Sequence, residues 1–567
     1  MATRLTTTTD LTADIAVPAY DRERPSGIVH LGTGAFHKAH QAVYTDAALA
    51  KSGGDWMITG VSLRSADVAN ALNPQDGLYT LLVRGPEGVA PRVIGSIARV
   101  LVAPQDPAAV LETLAAPATK VVSLTITEKG YGLDPATGGL DRSFAPVAAD
   151  LATPERPQSA VGFIVEALRL RRERGLGGFT VLCCDNLPNN GKVVRRLVGE
   201  FAAARDPELA TFIARSVTFP STMVDRITPA STETTFADTL ALTGREDLAA
   251  VETEPFSQWI VEDDFVAGRP DWEAGGALFV SDVAPYEKMK LRMLNGAHSM
   301  LAYSGFLAGH KYVRDVMGDA DLSLLIARHM DAAARTLDPV PGVDTEQYAA
   351  ELRTRFANPA IAHQTYQIAM DGTQKLPQRI LEPATIALER GWPLDAYAFA
   401  IAAWMRYALA VTEAGEAYAL RDPREAEIRA LAGGPERGAG AVVEALIGLP
   451  GLFPSALRDA SDFREAVARR LGVMLSEGIQ AAIALEAGAC RGLNPPRRPS
   501  TSRPRWPAST SIAARRSDRR STTPCVFASS TEGCPAAHRS TKAKSPRCAW
   551  SAARRSGQRC SSSRARA

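Results

Sequence analysis

Ile28-Val-His-Leu-Gly-Thr-Gly-Ala-Phe-His-Lys-Ala-His40 is the stretch on which the fold turns. A short apolar run leads into Gly32-Thr-Gly34 and then into helix-forming residues. That order of strand, tight turn and helix is what a dinucleotide-binding loop requires. The glycines let the backbone approach a pyrophosphate, which then meets the start of the helix. Gly32, Thr33, Gly34, Ala35 and Phe36 are therefore the candidate cofactor-binding residues. The usual third glycine is missing, since His37 stands in its place. An ordinary strand-to-helix turn would carry the same Gly-x-Gly, so the pattern alone leaves both readings open.

Working outward, Trp56-Met-Ile-Thr-Gly-Val-Ser-Leu63 reads as a second strand, and Arg64-Ser-Ala-Asp67 follows it. Asp67 would bind the ribose hydroxyls of NAD, whereas Arg64 would meet the 2′-phosphate of NADP; NAD is the expectation. Lys120–Thr127 and Phe179–Cys184 are further apolar runs, each followed by a polar loop, Glu128-Lys-Gly-Tyr131 and Asp185-Asn-Leu-Pro-Asn-Asn-Gly191. Helices are expected over Gln158–Arg174 and Gly191–Arg205. Alternating strands and helices predict a mostly parallel sheet with ligands at the strand C-termini. Asn186 falls just beyond one of those ends, where a plain turn asparagine would also sit. Phe219-Pro-Ser-Thr-Met-Val-Asp225-Arg-Ile-Thr-Pro229 and the acid-rich Gln258–Phe265 complete this half.

Beyond residue 285 the texture becomes helical. Tyr286-Glu-Lys-Met-Lys-Leu-Arg-Met-Leu-Asn-Gly-Ala-His-Ser299 reads as one regular helix, with Pro285 in its first turn and Asp282 available as a cap. At about 100° per residue, Lys290, Asn295 and His298 fall at roughly 0°, 140° and 80°, and Glu287 at roughly 60°. A lysine buried there would lose proton affinity and serve as a base, with an amide and an imidazole to hold a substrate oxygen. A solvated face with a satisfied histidine would give the same spacing. Helical periodicity recurs over Leu322–Leu337, Ala384–Gly391, Leu394–Ala414 and Ser461–Ala487.

The whole chain has 567 residues and a formal net charge of +2. From Arg491 onward lie 18 of the 64 Lys+Arg and 2 of the 62 Asp+Glu, a net of +16 that leaves −14 on the residues before it. The expected division is a flexible segment 1–24, a Rossmann-type α/β domain 25–285, a mainly α-helical substrate domain 286–488 and a disordered basic tail 489–567. Nucleic acid would be met only through that tail. No 18-residue apolar run points to a membrane span, and the N-terminus lacks the apolar core of a signal peptide. Only Cys183 and Cys184 precede Cys490, and no metal-ligand spacing appears. A cytoplasmic, disulfide-free, metal-free protein is the expectation.

Gly32-Thr-Gly-Ala-Phe-His-Lys-Ala-His40, Cys184-Asp-Asn-Leu-Pro188, Phe219–Pro229 and Lys290-x4-Asn295-x2-His298 resemble, in order and separation, the long-chain polyol dehydrogenase family. The resemblance covers residues 25 to 488, with Lys38 where the family commonly has arginine. It implies metal-free hydride transfer with NAD. By position, Lys290 is implied as general acid/base, Asn186 and Asn295 as amides stabilising the substrate oxygen, and His298 and Asp225 as substrate-positioning groups. Glu287 and Glu128 are implied as a proton relay. His363-Gln-Thr-Tyr-Gln-Ile-Ala-Met-Asp-Gly-Thr-Gln-Lys375-Leu-Pro-Gln-Arg379 is similar to the uronate-reducing branch rather than the mannitol branch. Lys375 and Arg379 would suit a substrate carboxylate. The expected reaction is reduction of D-fructuronate to D-mannonate, with fructose/mannitol, another polyol or tagaturonate as alternatives, by a monomer or small homo-oligomer. A non-catalytic, dehydrogenase-like binding module is the reading of a different class.

Overall fold

The computed structural model describes residues 3–6, 8, 11–134 and 137–491. Its strands are, in order, β1 (Ile28–Leu31), β2 (Ile58–Ser62), β3 (Tyr79–Gly85), β4 (Gly88–Ile94), β5 (Ile97–Val102), β6 (Val121–Leu124), β7 (Thr180–Cys183), β8 (Thr222–Asp225), β9 (Val251–Thr253), β10 (Gln258–Glu262) and β11 (Leu278–Val280). Five of them form a parallel sheet in the order β5-β2-β1-β6-β7. Within this sheet the chain runs outward from β1 in one direction and then returns to continue from β6. The crevice at the C-terminal ends of β1 and β6 is therefore the switch point of a Rossmann-type sheet.

The strands are apolar because both faces are covered: β1, β2, β6 and β7 are buried along their whole length. Helices Pro107–Ala115, Ala160–Glu173 and Asn190–Arg205 cover one face, and Gln41–Ser52 covers the other. The expected helices at Gln158–Arg174 and Gly191–Arg205 thus form within a residue or two, and Ser159 caps the first by accepting from Gly162. Two smaller sheets, β4-β3-β9 and β11-β10-β8, flank the main one. The hairpin β3–β4 leaves less trace in the sequence, because its outer strand is only partly buried.

From Ala284 to Arg491 the elements are helical and share one core, which also takes in Met223 of β8 and Ile260 of β10. That small sheet is the seam between the halves. Several expectations change. The segment 461–487 is two helices, Ser461–Ser476 and Ile479–Arg491, broken where Gly478 adopts φ +88°. The N-terminal segment expected to be flexible is docked in its described part: Leu5 and Ile15 are buried, and Ala16 bridges to Arg92. The basic tail lies outside the described residues from position 492 onward. No helix among the described residues is long and apolar enough to cross a membrane.

The helix expected over 286–299 is not regular. It runs as α-helix Ala284–Met289, π-helix Lys290–Asn295 and α-helix Gly296–Leu307. Pro285 does lie in its first turn, and Asp282 accepts from the Ala284 N–H at 3.0 Å. The wider turn shifts the register of everything after Lys290, so angles counted at a constant 100° do not apply across it.

Candidate active site

Lys290 opens the π turn, and its amine is buried at the seam. Nζ donates to Asn186 Oδ1 and to the Val224 carbonyl, both at 2.6 Å. Burial pushes the amine down to about 8; Asp225 and Glu287 favour its charged form, while Arg379 and Arg355 oppose it. An ammonium has three hydrogens, so two fixed acceptors leave one direction for a substrate oxygen. Once neutral, the amine keeps both bonds and turns its lone pair that way.

Asn186 is aimed by the loop after β7. Asp185 beside it accepts from the N–H groups of Ile126 and Thr127 and from the Tyr131 hydroxyl, at 2.7, 3.2 and 2.7 Å. These bonds tie the loop after β7 to the loop after β6, where Thr127 holds φ +65°. Such a conformation in a non-glycine residue persists only where its surroundings impose it. Glu128 follows directly, exposed at the start of the turn Glu128–Gly130.

Glu287, one turn before Lys290, is half-buried and accepts from the Asn189 N–H at 3.1 and 3.2 Å. Burial raises its carboxyl, which suits a group passing protons between Lys290 and solvent. His298 is buried and stacks on Phe356 at 4.2 Å, with His363 edge-on at 5.4 Å. Burial holds it neutral, with nearby cations adding to the effect, and its Nε2 has no partner among the described residues. A buried ring nitrogen left unpaired is costly unless a ligand completes it. Asn295 is half-buried at the end of the π turn.

Asp225, at the end of β8, has both oxygens engaged by Arg355, each at 2.9 Å. Burial works to raise its carboxyl, but the guanidinium outweighs that and holds it below the ordinary value. Arg355 also pairs with Glu254. Neither Arg355 nor Glu254 stands out in the sequence: the arginine reads as one more helix cation, 130 residues from Asp225 and 101 from Glu254. Lys375 donates to the carbonyls of Ile368 and Met370 at 3.2 and 2.5 Å, and burial takes its amine down to about 8. Arg379 donates through Nη1 to Ser299 Oγ at 3.2 Å and to the Asn295 carbonyl at 3.4 Å. Both cations feel Glu128, and the buried Tyr303 hydroxyl beside Arg379 has no partner among the described residues.

At the sheet the two glycines of the turn differ. Gly32 has φ +95°, and a Cβ there would lie 2.3 Å from the Thr125 carbonyl oxygen, so the fold itself demands it. At Gly34 a Cβ would meet nothing nearer than 3.8 Å, and the backbone there is extended. The room left at Gly34 suits close approach by a ligand, which is the use a dinucleotide makes of such a glycine. Thr33 is buried and its Oγ1 has no partner among the described residues, Ala35 begins the next helix, and Phe36 stacks on His40 at 5.0 Å. A cavity of about 680 Å³ opens where β2, β5 and β6 end, lined by Leu63, Arg64, Pro104, Ile126 and Phe163 among others. Its size fits an adenosine moiety. Asp67 lies farther along, exposed at the start of helix Asp67–Leu72, and accepts from Ser65 at 2.8 Å. Lys38 points away from the turn and donates to the Ala249 carbonyl. Cys183 and Cys184 are free and buried, and no three His, Cys, Asp or Glu among the described residues are grouped to hold a metal ion.

Residues 26–274 match the mannitol dehydrogenase Rossmann domain, and residues 282–475 match the mannitol dehydrogenase C-terminal domain. The chain is 45% identical to the D-mannonate oxidoreductase of Escherichia coli, over 85% of this chain and 100% of that one. It is 48% identical to the uncharacterized oxidoreductase YeiQ of the same organism, over 80% and 93%. Pseudomonas fluorescens mannitol 2-dehydrogenase, solved as a ternary complex with NAD and D-mannitol, superposes with a TM-score of 0.78 at 36% identity, covering 87% of this chain and 100% of that one.

Proposed function

The chain belongs to the mannitol dehydrogenase family of oxidoreductases, and from that premise we propose that it interconverts a keto-uronate and its sugar acid, D-fructuronate and D-mannonate, with NAD. The observation that carries the reading is that two half-buried cations, Arg379 and Lys375, lie near each other on the helical side of the site, with Arg379 close enough to Lys290 to oppose its charge. A neutral polyol has no need of them, whereas a carboxylate at the far end of the substrate does. The 45% identity to a D-mannonate oxidoreductase supports the same choice. The fructose/mannitol pair is the second reading, favoured by the similarity to the Pseudomonas mannitol 2-dehydrogenase.

Gly32, Thr33, Gly34, Ala35 and Phe36 would hold the dinucleotide along the crevice, with Asp67 and Arg64 beside the ribose end. Bound NAD supplies the hydride acceptor, and NADH the donor. In oxidation the neutral Lys290 amine takes the proton of the reacting hydroxyl, and in reduction its ammonium returns one to the carbonyl oxygen. Asn186 keeps the amine aimed, and the amides of Asn186 and Asn295 stabilise charge developing on that oxygen. His298, neutral and unpaired at Nε2, bonds a neighbouring substrate hydroxyl. Asp225 biases the amine by its charge while remaining on Arg355. Glu287 and Glu128 pass protons to solvent. The test is the initial rate with fructuronate, tagaturonate, fructose and their reduced partners, under NADH and NADPH. Fructuronate with NADH is expected to be fastest; faster turnover of fructose overturns the choice.

A further inference from the structure

Arg355 is the penultimate residue of helix Thr345–Phe356, and it crosses the seam to two carboxylates of the other half. Nη1 and Nη2 donate to the two oxygens of Asp225, each at 2.9 Å. Nε and Nη2 donate to Glu254 at 3.0 and 2.8 Å. The ring of Phe256 covers the guanidinium face at 3.8 Å. Glu254 is further fixed by the Ile227 N–H at 2.7 Å. Four bonds to two carboxylates use the planar fork of an arginine, which a lysine does not have.

Asp225 directly follows Val224, whose carbonyl accepts from Lys290. Were it free to turn, Asp225 would be the natural partner for the amine. Direct contact would hold Lys290 charged and take up the hydrogen that points at the substrate. We infer that Arg355 is a positioning residue for the reaction: by holding Asp225 in a shared fork with Glu254 it keeps that carboxylate beside Lys290 rather than on it, and so governs when the amine releases its proton. The inference rests on Lys290 being the acid/base. The other groups facing the amine are Glu287 from its own helix, Arg379 from the turn Pro377–Leu381, and the imidazoles of His40 and His298, which burial keeps neutral. Arg379 pairs with neither Asp225 nor Glu254, and the buried Arg226 feels Glu254 but donates to its backbone carbonyl, so the side-chain ion pairs to both carboxylates come from Arg355.

The test uses the full chain with Arg355→Met, Arg355→Lys and Glu254→Gln. It reads the pH dependence of kcat/KM for alcohol oxidation alongside a carbon NMR titration of protein labelled at the lysine Cε, with the Lys290 signal identified from Lys290→Met. Arg355→Met is expected to move both the kinetic limb and the titration up by about one pH unit, the size of one charge lost nearby in a partly screened site. Glu254→Gln is expected to move both down by about half a unit. Arg355→Lys keeps the charge but loses the fork, so it is expected to move both up by less, about half a unit. If Arg355→Met does not fold, the two near-isosteric variants decide. Equal losses of rate with Arg355→Met and Arg355→Lys, with the titration unmoved, overturn the inference while leaving Lys290 its role. A titration that moves while the kinetic limb stays put supports Arg355 and removes Lys290 as acid/base.

Discussion

Lys38 and Lys290 are equally buried, at 7% and 6% exposure, and burial pushes both amines down to about 8. Their surroundings have little else in common. Lys38 gives one hydrogen bond, to the Ala249 carbonyl at 2.7 Å, and lies over the ring of Tyr79, whose hydroxyl bonds back to the Lys38 carbonyl. It is packed as a strut between the turn helix and the flanking sheet. Lys290 has two acceptors in fixed places, charged groups from three other elements around it, and His298 nearby, whose Nε2 has no partner among the described residues. Burial is the largest cause for both, so a depressed amine pKa does not by itself identify a base. The identification comes from groups that converge on the amine and leave it one direction to act in.

The contrast breaks most directly on Lys290→Ala, which is expected to lower kcat between about 10²- and 10⁴-fold while NADH binding, followed by fluorescence quenching, persists. Unchanged turnover would place Lys290 with Lys38 as a structural amine. Next in size, Asn295→Ala is expected to cost about 10²-fold in kcat with KM nearly unchanged, because its amide acts on charge that develops only in the transition state. A rise in KM alone would move Asn295 from charge stabilisation to ground-state binding.

Wild-type pH profiles sharpen the comparison further. Oxidation needs the neutral amine, so kcat/KM should climb about tenfold per pH unit below about 8 and level off above it. Reduction needs the ammonium and should fall above the same value. Profiles of the two directions that do not bend in opposite senses near 8 would detach the amine from the proton transfer.

Lys38→Met carries the smallest expected effect: kcat within about twofold of wild type, with a changed pH dependence of stability. The Lys38 amine holds its proton less tightly folded, at about 8, than unfolded, near 10.5. Between those values the unfolded chain binds the extra proton, so stability rises with pH across that window. Lys38→Met should flatten the rise, as read from denaturant midpoints at pH 8 and pH 10. A large fall in kcat would mean that Lys38 supports the turn as well as the sheet.

Much of the site was legible because its residues sit at the ends of elements whose pattern is local. Gly32 follows an apolar strand, Asn186 follows another, and Lys290, Asn295 and His298 keep a short spacing on one helical segment. Asn186 needed more than its place after β7, since the Asp185 bonds to the β6 loop are what aim it. Glu128 and Glu287 were visible as carboxylates, but only the bond from the Asn189 N–H shows how Glu287 is held at the seam.

The sequence by itself determined the parallel sheet, the glycine turn, the helical second half and the family, because periodicity, turn chemistry and motif spacing are properties of neighbouring residues. Only the tertiary structure decided the π turn at Lys290, the pairing of Arg355 with Asp225 and Glu254, and the difference between Lys38 and Lys290. Burial and charge pairing arise between residues brought together from more than a hundred positions apart. Such contacts leave no local trace in the chain.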